Sequence, residues 1–149
     1  MLKLNLGCGR KYLEGYINVD SALNLKKDLE LDLETSRFPY EDNTVDEIRA
    51  YDLLEHIKNL RHLLNECWRV LKPLGIFDIA VPDVLSAPHH AFSNPTHVRF
   101  FTADTFKYFY DYAELGYQGW KRWKIIELKV DNGYVKCKMQ KAPKEEWIK

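Results

Sequence analysis

No Cys-x-x-Cys pair occurs in the chain, and its three cysteines, Cys8, Cys67 and Cys137, stand far apart. An odd number at such spacing gives neither a disulfide framework nor a thiolate zinc site, and it suits a reducing compartment. Net charge is missing as well, because 22 basic and 22 acidic residues cancel. Without a basic field, nothing draws the chain to nucleic acid or to an anionic membrane. There is no apolar run of bilayer-spanning length and no leader-like opening, so we expect a cytoplasmic protein without a membrane partner. Internal repeats and low-complexity tracts are also lacking. What is present is enough apolar material for one core: 149 residues, 46% hydrophobic and 13% aromatic. Residues 1–149 therefore read as a single domain, with a polar tail at 141–149.

Glycine is scarce where a dinucleotide site needs it. Leu4-Asn5-Leu6-Gly7-Cys8-Gly9 sets two glycines after a short apolar strand, Leu2 to Leu6, but position 12, where a third belongs, is Tyr12. A pyrophosphate seated on a helix N-terminus is poorly supported, and NAD with it. Eleven residues beyond Gly9, a second strand, Tyr16-Ile17-Asn18-Val19-Asp20, ends on an acid. Such a carboxylate accepts the hydroxyl protons of a ribose, and Gly7 lets a ligand lie against the main chain. A nucleoside without phosphate fits this pattern, and S-adenosylmethionine is one.

These residues resemble the first two motifs of class I S-adenosylmethionine-dependent methyltransferases, of the small type 11-like kind. Asp32-Leu33, the run Phe38 to Ile48, and Leu54-Glu55-His56-Ile57 resemble that family's third and fourth strands. The run Glu66 to Gly75 resembles its helix and turn before strand five. The resemblance implies an α/β fold: a Rossmann-like, seven-stranded, mostly parallel sheet with one antiparallel strand. It also implies S-adenosylmethionine as cofactor, with Asn5, Gly7, Cys8, Gly9, Asp20, Ser21, Asp32, Leu33, Ala50 and Tyr51 around it. In the family the position of Asp32 meets the adenine amino group and the backbone of Leu33 lies beside the ring. Tyr51 is expected to stack on the adenosine or wall it off.

Only six residues separate Gly9 from Tyr16, whereas a parallel crossover takes a dozen or more and includes a helix. The first crossover is truncated, so part of one sheet face needs other cover. Tyr12 and Leu13 are one candidate, and a second subunit in a homodimer is the other. Further on, Leu29 to Leu33 alternates as a third strand and Val45 to Ala50 makes a fourth. Asp52 is placed to cap a helix starting near Leu53, the alternative being a substrate contact. Leu60, Leu63, Leu64, Cys67, Val70 and Leu71 fall at helical steps, and Ile76 to Val81 reads as a buried fifth strand. Thr102 is placed to cap a helix, Ala103 to Tyr112. Trp123 to Val130 and Tyr134 to Gln140 flank Asn132-Gly133, a hairpin signal.

Pro82-Asp83 ends strand five at the edge where open α/β sheets bind ligands, and the following segment, Val84 to Thr102, holds three of the five histidines. Its run from His97 to Thr102 resembles, more loosely, a His-x-Arg-Phe-Phe-Thr pattern of methyltransferases acting in glycan or secondary-metabolite pathways. Methyl transfer from a sulfonium needs mainly alignment and exclusion of water. A hydroxyl acceptor also needs a base, for which His97 is the first candidate and His89 and His90 the next. Arg99 and Asp83 are candidate substrate contacts, the alternative for Arg99 being a bond to a backbone carbonyl or to Asp83. As a metal set His89, His90 and His97 are poor, since adjacent histidines seldom point at one ion and no acid is spaced to help, so no metal is expected. Ala50-Tyr51-Asp52-Leu53 lacks the Asn/Asp-Pro-Pro-Tyr run of many enzymes that methylate nucleic-acid bases. The expected activity is methyl transfer, O- or N-directed, to a small molecule or glycan intermediate. The alternative is a catalytically weak, cofactor-binding subunit that acts as a dimeric partner.

Overall fold

A computed structural model gives the structure and describes residues 1–110 and 118–142. Its strands are Lys3–Leu6 (β1), Ile17–Asp20 (β2), Leu29–Glu30 (β3), Val45–Tyr51 (β4), Leu71–Pro82 (β5), Trp123–Asp131 (β6) and Tyr134–Lys141 (β7). All seven join one sheet in the order β3-β2-β1-β4-β5-β7-β6. Neighbours are parallel from β3 to β5, and β7 runs antiparallel to both β5 and β6. This is the Rossmann-like sheet with one antiparallel strand that the sequence implies.

The register sorts the residues onto two unlike faces. Cross-strand partners Leu4, Ile48, Phe77, Met139 and Ile125 follow one another across the apolar face. Against it packs the helix Leu60–Val70 (α1), which buries Leu60, Leu63, Leu64, Cys67 and Val70 as its spacing predicts. Asn59 starts that helix, its side chain accepting from the His62 N–H. The other face aligns Asn5, Arg49, Asp78, Lys138 and Glu127. There the Arg49 guanidinium lies 3.5 Å from the Tyr51 ring centroid, and the Tyr16 hydroxyl donates to Glu47 at 2.6 Å. Parallel sheets are ordinarily covered on both faces because both are apolar. Here the second face carries polar and charged side chains that pair with one another.

No helix forms between β1 and β2, and two buried asparagines hold the short crossover instead. Asn5 Nδ2 donates to the Lys11 carbonyl at 2.9 Å and to Asn18 Oδ1 at 2.8 Å. Asn18 also accepts from the Leu13 N–H and donates to the Leu13 and Tyr16 carbonyls. Its amide nitrogens, side chain and backbone, both reach Asp28 Oδ2.

Two elements are shorter than the sequence suggests, and one is added. β3 stops at Glu30 rather than Leu33, because the Asp32 carboxylate takes the Glu34 N–H and the Thr35 hydroxyl and turns the chain. The helix after Thr102 covers Ala103–Lys107 (α3 in chain order) rather than reaching Tyr112. The Phe109 and Tyr110 carbonyls accept from Trp123 N–H and Arg122 Nε, and residues 111–117, among them the expected helix end at Tyr112, lie outside the described ones. The segment Val84 to Thr102 contains a one-turn helix, Pro88–Ser93 (α2). Of the expected tail only Lys141 and Ala142 are described. Among the described residues no helix is long and apolar enough to cross a membrane.

Candidate functional site

The strand order reverses between β1 and β4, and a crevice of about 400 Å³ opens beyond the C-terminal ends of the strands there. Gly7 and Gly9 line it from β1, Asp20 and Ser21 from β2, and Asp32, Leu33 and Glu34 from the turn after β3. Asp52, Leu53, His56 and Ile57 close it from the end of β4. Gly7 has φ +61° and approaches Leu53 so closely that a Cβ there would lie 2.7 Å from Leu53 Cδ1. Only glycine lets these two walls meet. The Asp20 carboxylate turns toward the glycines: Gly9 N–H donates to Oδ2 at 2.9 Å and Ala22 N–H to Oδ1 at 2.9 Å.

Six of the residues expected around a cofactor thus share one crevice: Gly7, Gly9, Asp20, Ser21, Asp32 and Leu33. Four do not. Asn5 is taken up by the β1–β2 crossover. Cys8 is buried and turned toward the Lys26 carbonyl, its thiol pushed up by burial and by Asp20. Ala50 is fully buried in the apolar core. Tyr51 points to the polar face, where its hydroxyl donates to Asp78 at 3.1 Å and lines a separate cavity. The expectation that Tyr51 walls the adenosine is corrected by strand parity: Tyr51 pairs with Ala80 on the face away from Ala50.

The expected substrate contacts are also occupied elsewhere. Asp83 is buried and its carboxylate accepts from the N–H and hydroxyl of Ser86, fixing the turn after β5. Arg99 reaches back to the Ile57 carbonyl at 2.8 Å and the Lys58 carbonyl at 2.6 Å, the backbone alternative of the sequence reading. It ties the histidine segment to the end of β4.

Of the histidines, His89 is exposed on α2, and His90 stands between Tyr134 and His97 with ring centroids 5.8 Å and 6.3 Å away. His97 packs edge-on against His56, centroids 4.7 Å apart. The 3-10 turn Leu54–His56 carries Glu55, which is 2% exposed and whose carboxylate oxygens accept no hydrogen bond among the described residues. Burial pushes the Glu55 carboxyl up to about 7. Burial, followed by His97, lowers the His56 pKa. Asp52 does not cap this turn. It adopts φ +54°, and its carboxylate faces Tyr134, whose hydroxyl is pushed up to about 12 by burial and then by Asp52.

Glu34, Asp52, Leu53, His56 and Ile57 are the crevice residues that sequence reasoning did not assign. The three-residue step from Asp52 to Glu55-His56, just past a strand end, was the available signal.

Residues 14–79 match the family described as Methyltransferase domain. No curated protein matches the chain. An Archaeoglobus fulgidus SAM-dependent methyltransferase is 20% identical, with a TM-score of 0.71 over 93% of this chain and 85% of that one. The Pyrococcus horikoshii protein PH0226 is 18% identical, TM-score 0.66, covering 94% of this chain and 81% of its own. A Haloferax volcanii protein solved in complex with the Trm112 methyltransferase activator is 14% identical, TM-score 0.70, covering 95% and 83%. At these identities the likeness is one of fold.

Proposed function

We infer that this chain, a class I S-adenosylmethionine-dependent methyltransferase by its matched domain and its strand order, moves the methyl group to an oxygen or nitrogen of a small molecule or glycan intermediate. The crevice at the strand reversal carries this reading. Its volume of about 400 Å³ falls among small-ligand sites, roughly 300–1,000 Å³. Each Asp20 oxygen accepts one backbone N–H and keeps a lone pair for a ribose hydroxyl. Asp32, exposed at the rim, is available to an adenine amino group, while Leu33, Leu53 and Ile57 supply apolar wall. The bound cofactor supplies a sulfonium methyl and a neutral leaving group, so the chain's part is to align the acceptor and exclude water. His56 lines the crevice with His97 packed edge-on against it, and there the acceptor belongs. The neutral net charge favours a small or glycan acceptor over nucleic acid, in the cytoplasm, with residues 1–149 acting as one domain.

Calorimetry with S-adenosylmethionine, S-adenosylhomocysteine and NAD tests the reading. The first two are expected to bind and NAD is not; absence of heat from both of the first two overturns it.

A second reading follows from the Haloferax neighbour, which was solved with an activator. In that reading this chain is a weak enzyme alone and works beside a partner, a second copy of itself included. Sedimentation of the cofactor-bound chain separates the readings: a monomer with full turnover removes the second.

A further inference from the structure

Glu55, His56 and His97 each bring one ligand-type atom within 4.8 Å of the other two. The tautomers of the two rings follow from their neighbours. With Thr96 Oγ1 donating to Asn94 Oδ1 at 2.7 Å, its lone pair is left to accept from His56 Nδ1–H at 3.0 Å. His97 Nδ1 lies 2.7 Å from the Ala91 carbonyl, which only accepts, so it too carries its proton. In both neutral rings Nε2 is therefore a bare lone pair. His56 Nε2 lies 3.7 Å from Glu55 Oε1, and both Glu55 oxygens are buried without a hydrogen-bond partner among the described residues. An ionised carboxylate buried without donors is costly, and imidazole lone pairs turned toward it add to that cost. A cation resolves both problems at once.

We propose that Glu55, His56 and His97 bind one divalent first-row transition ion, of the zinc kind, at the edge of the crevice. Two imidazoles and one carboxylate are a ligand set for such ions and leave coordination positions open. Nδ1–H bonds to Thr96 and to a backbone carbonyl are the outer partners that orient metal-binding histidines. The site draws on the turn after β4 and on the segment after β5, so the ion fastens one to the other, as Arg99 does from Ile57 and Lys58. His56 lines the crevice, so the ion would lie at its edge. If the methyl-transfer reading holds, the ion binds a hydroxyl oxygen of the acceptor and lowers its pKa so that its proton passes to water, and that oxygen then takes the methyl as the carbon–sulfur bond breaks and S-adenosylhomocysteine leaves.

Binding is measured on the chelator-treated full chain without S-adenosylmethionine, so the outcome is independent of that reading. Zinc titrated by calorimetry is expected to bind once per chain and to raise the melting temperature. Glu55→Gln and His97→Ala, shown folded by circular dichroism, each weaken binding a hundredfold or more, and Thr96→Ala, which frees the His56 ring, weakens it by roughly 10–100-fold. His56→Ala serves in place of either variant that fails to fold. No heat and no thermal shift with zinc, cobalt(II) or manganese(II) overturns the proposal. Binding of unchanged strength in the variants also overturns it, because the ion then sits elsewhere, for instance on exposed His89 and His90. A chain that binds zinc but neither cofactor form leaves the metal site standing and removes the methyl-transfer reading alone.

Discussion

Asp20 joins two tasks in one carboxylate: it ties the Gly9 and Ala22 amides together, and it offers its remaining lone pairs to the crevice. Replacing it by Ala removes both. S-adenosylhomocysteine affinity should fall by about 1–3 kcal/mol, the scale of a lost charge-assisted hydrogen bond. Calorimetry reads the loss, and unchanged affinity would move the ribose elsewhere. Tyr51→Phe should leave affinity unaltered, since that hydroxyl belongs to Asp78 on the polar face. The contrast also marks what single residues disclose. Gly7, Gly9, Asp20 and Asp32 were legible because each follows the end of a short apolar strand, and strand ends meet in one place in a parallel sheet. Asn5 and Ala50 lie inside strands and Tyr51 is the last residue of β4, and for all three parity and not proximity to the end decides which way the side chain points. His56 and His97 were named separately in the sequence, but their meeting depends on how the segment after β5 folds back, and no local pattern encodes that.

Periodic elements were the readable ones at the next scale up. The stripe from Leu60 to Val70 and the Asn132-Gly133 turn, with φ of +51° and +80°, formed where spacing and turn chemistry put them. The first crossover was legible only as too short for a helix. Its substitute, the hub of Asn5 and Asn18, has no period to detect, because a hydrogen-bond network rests on reach rather than repetition. Asn18 is wholly buried and joins Asn5, Leu13, Tyr16 and Asp28. Asn18→Ala leaves the Leu13 N–H, Asn5 Nδ2 and Asp28 short of partners, and should cost about 2–3 kcal/mol of stability in urea unfolding. The variant should bind cofactor more weakly too, since the residues between Gly9 and Asp20 lose their fastening. A loss no larger than that of an exposed control such as Asn24→Ala would show that the hub does not hold the crossover.

Across the molecule, helical support is uneven. α1 packs near β4 and β5, and the hairpin β6–β7 extends that half with long ladders. β1, β2 and β3 have four, four and two residues, and the connections between them contain no helix. Elements with short ladders and little packed apolar surface open first. The crevice lies along the boundary, one wall from each half. A ligand that touches Asp20 and Asp32 on one side and Leu53 and Ile57 on the other therefore stabilises the weak half by linking it to the strong one. Hydrogen exchange should show amides of Ile17–Asp20 and Leu29–Glu30 exchanging faster than those of β5 and β7 in the free chain. Saturating S-adenosylhomocysteine should slow the first set by roughly tenfold, which corresponds to about 1.4 kcal/mol, and leave β7 unchanged. Protection spread evenly over the sheet would mean that the two halves open as one unit, and that the ligand bridges nothing the fold had left apart.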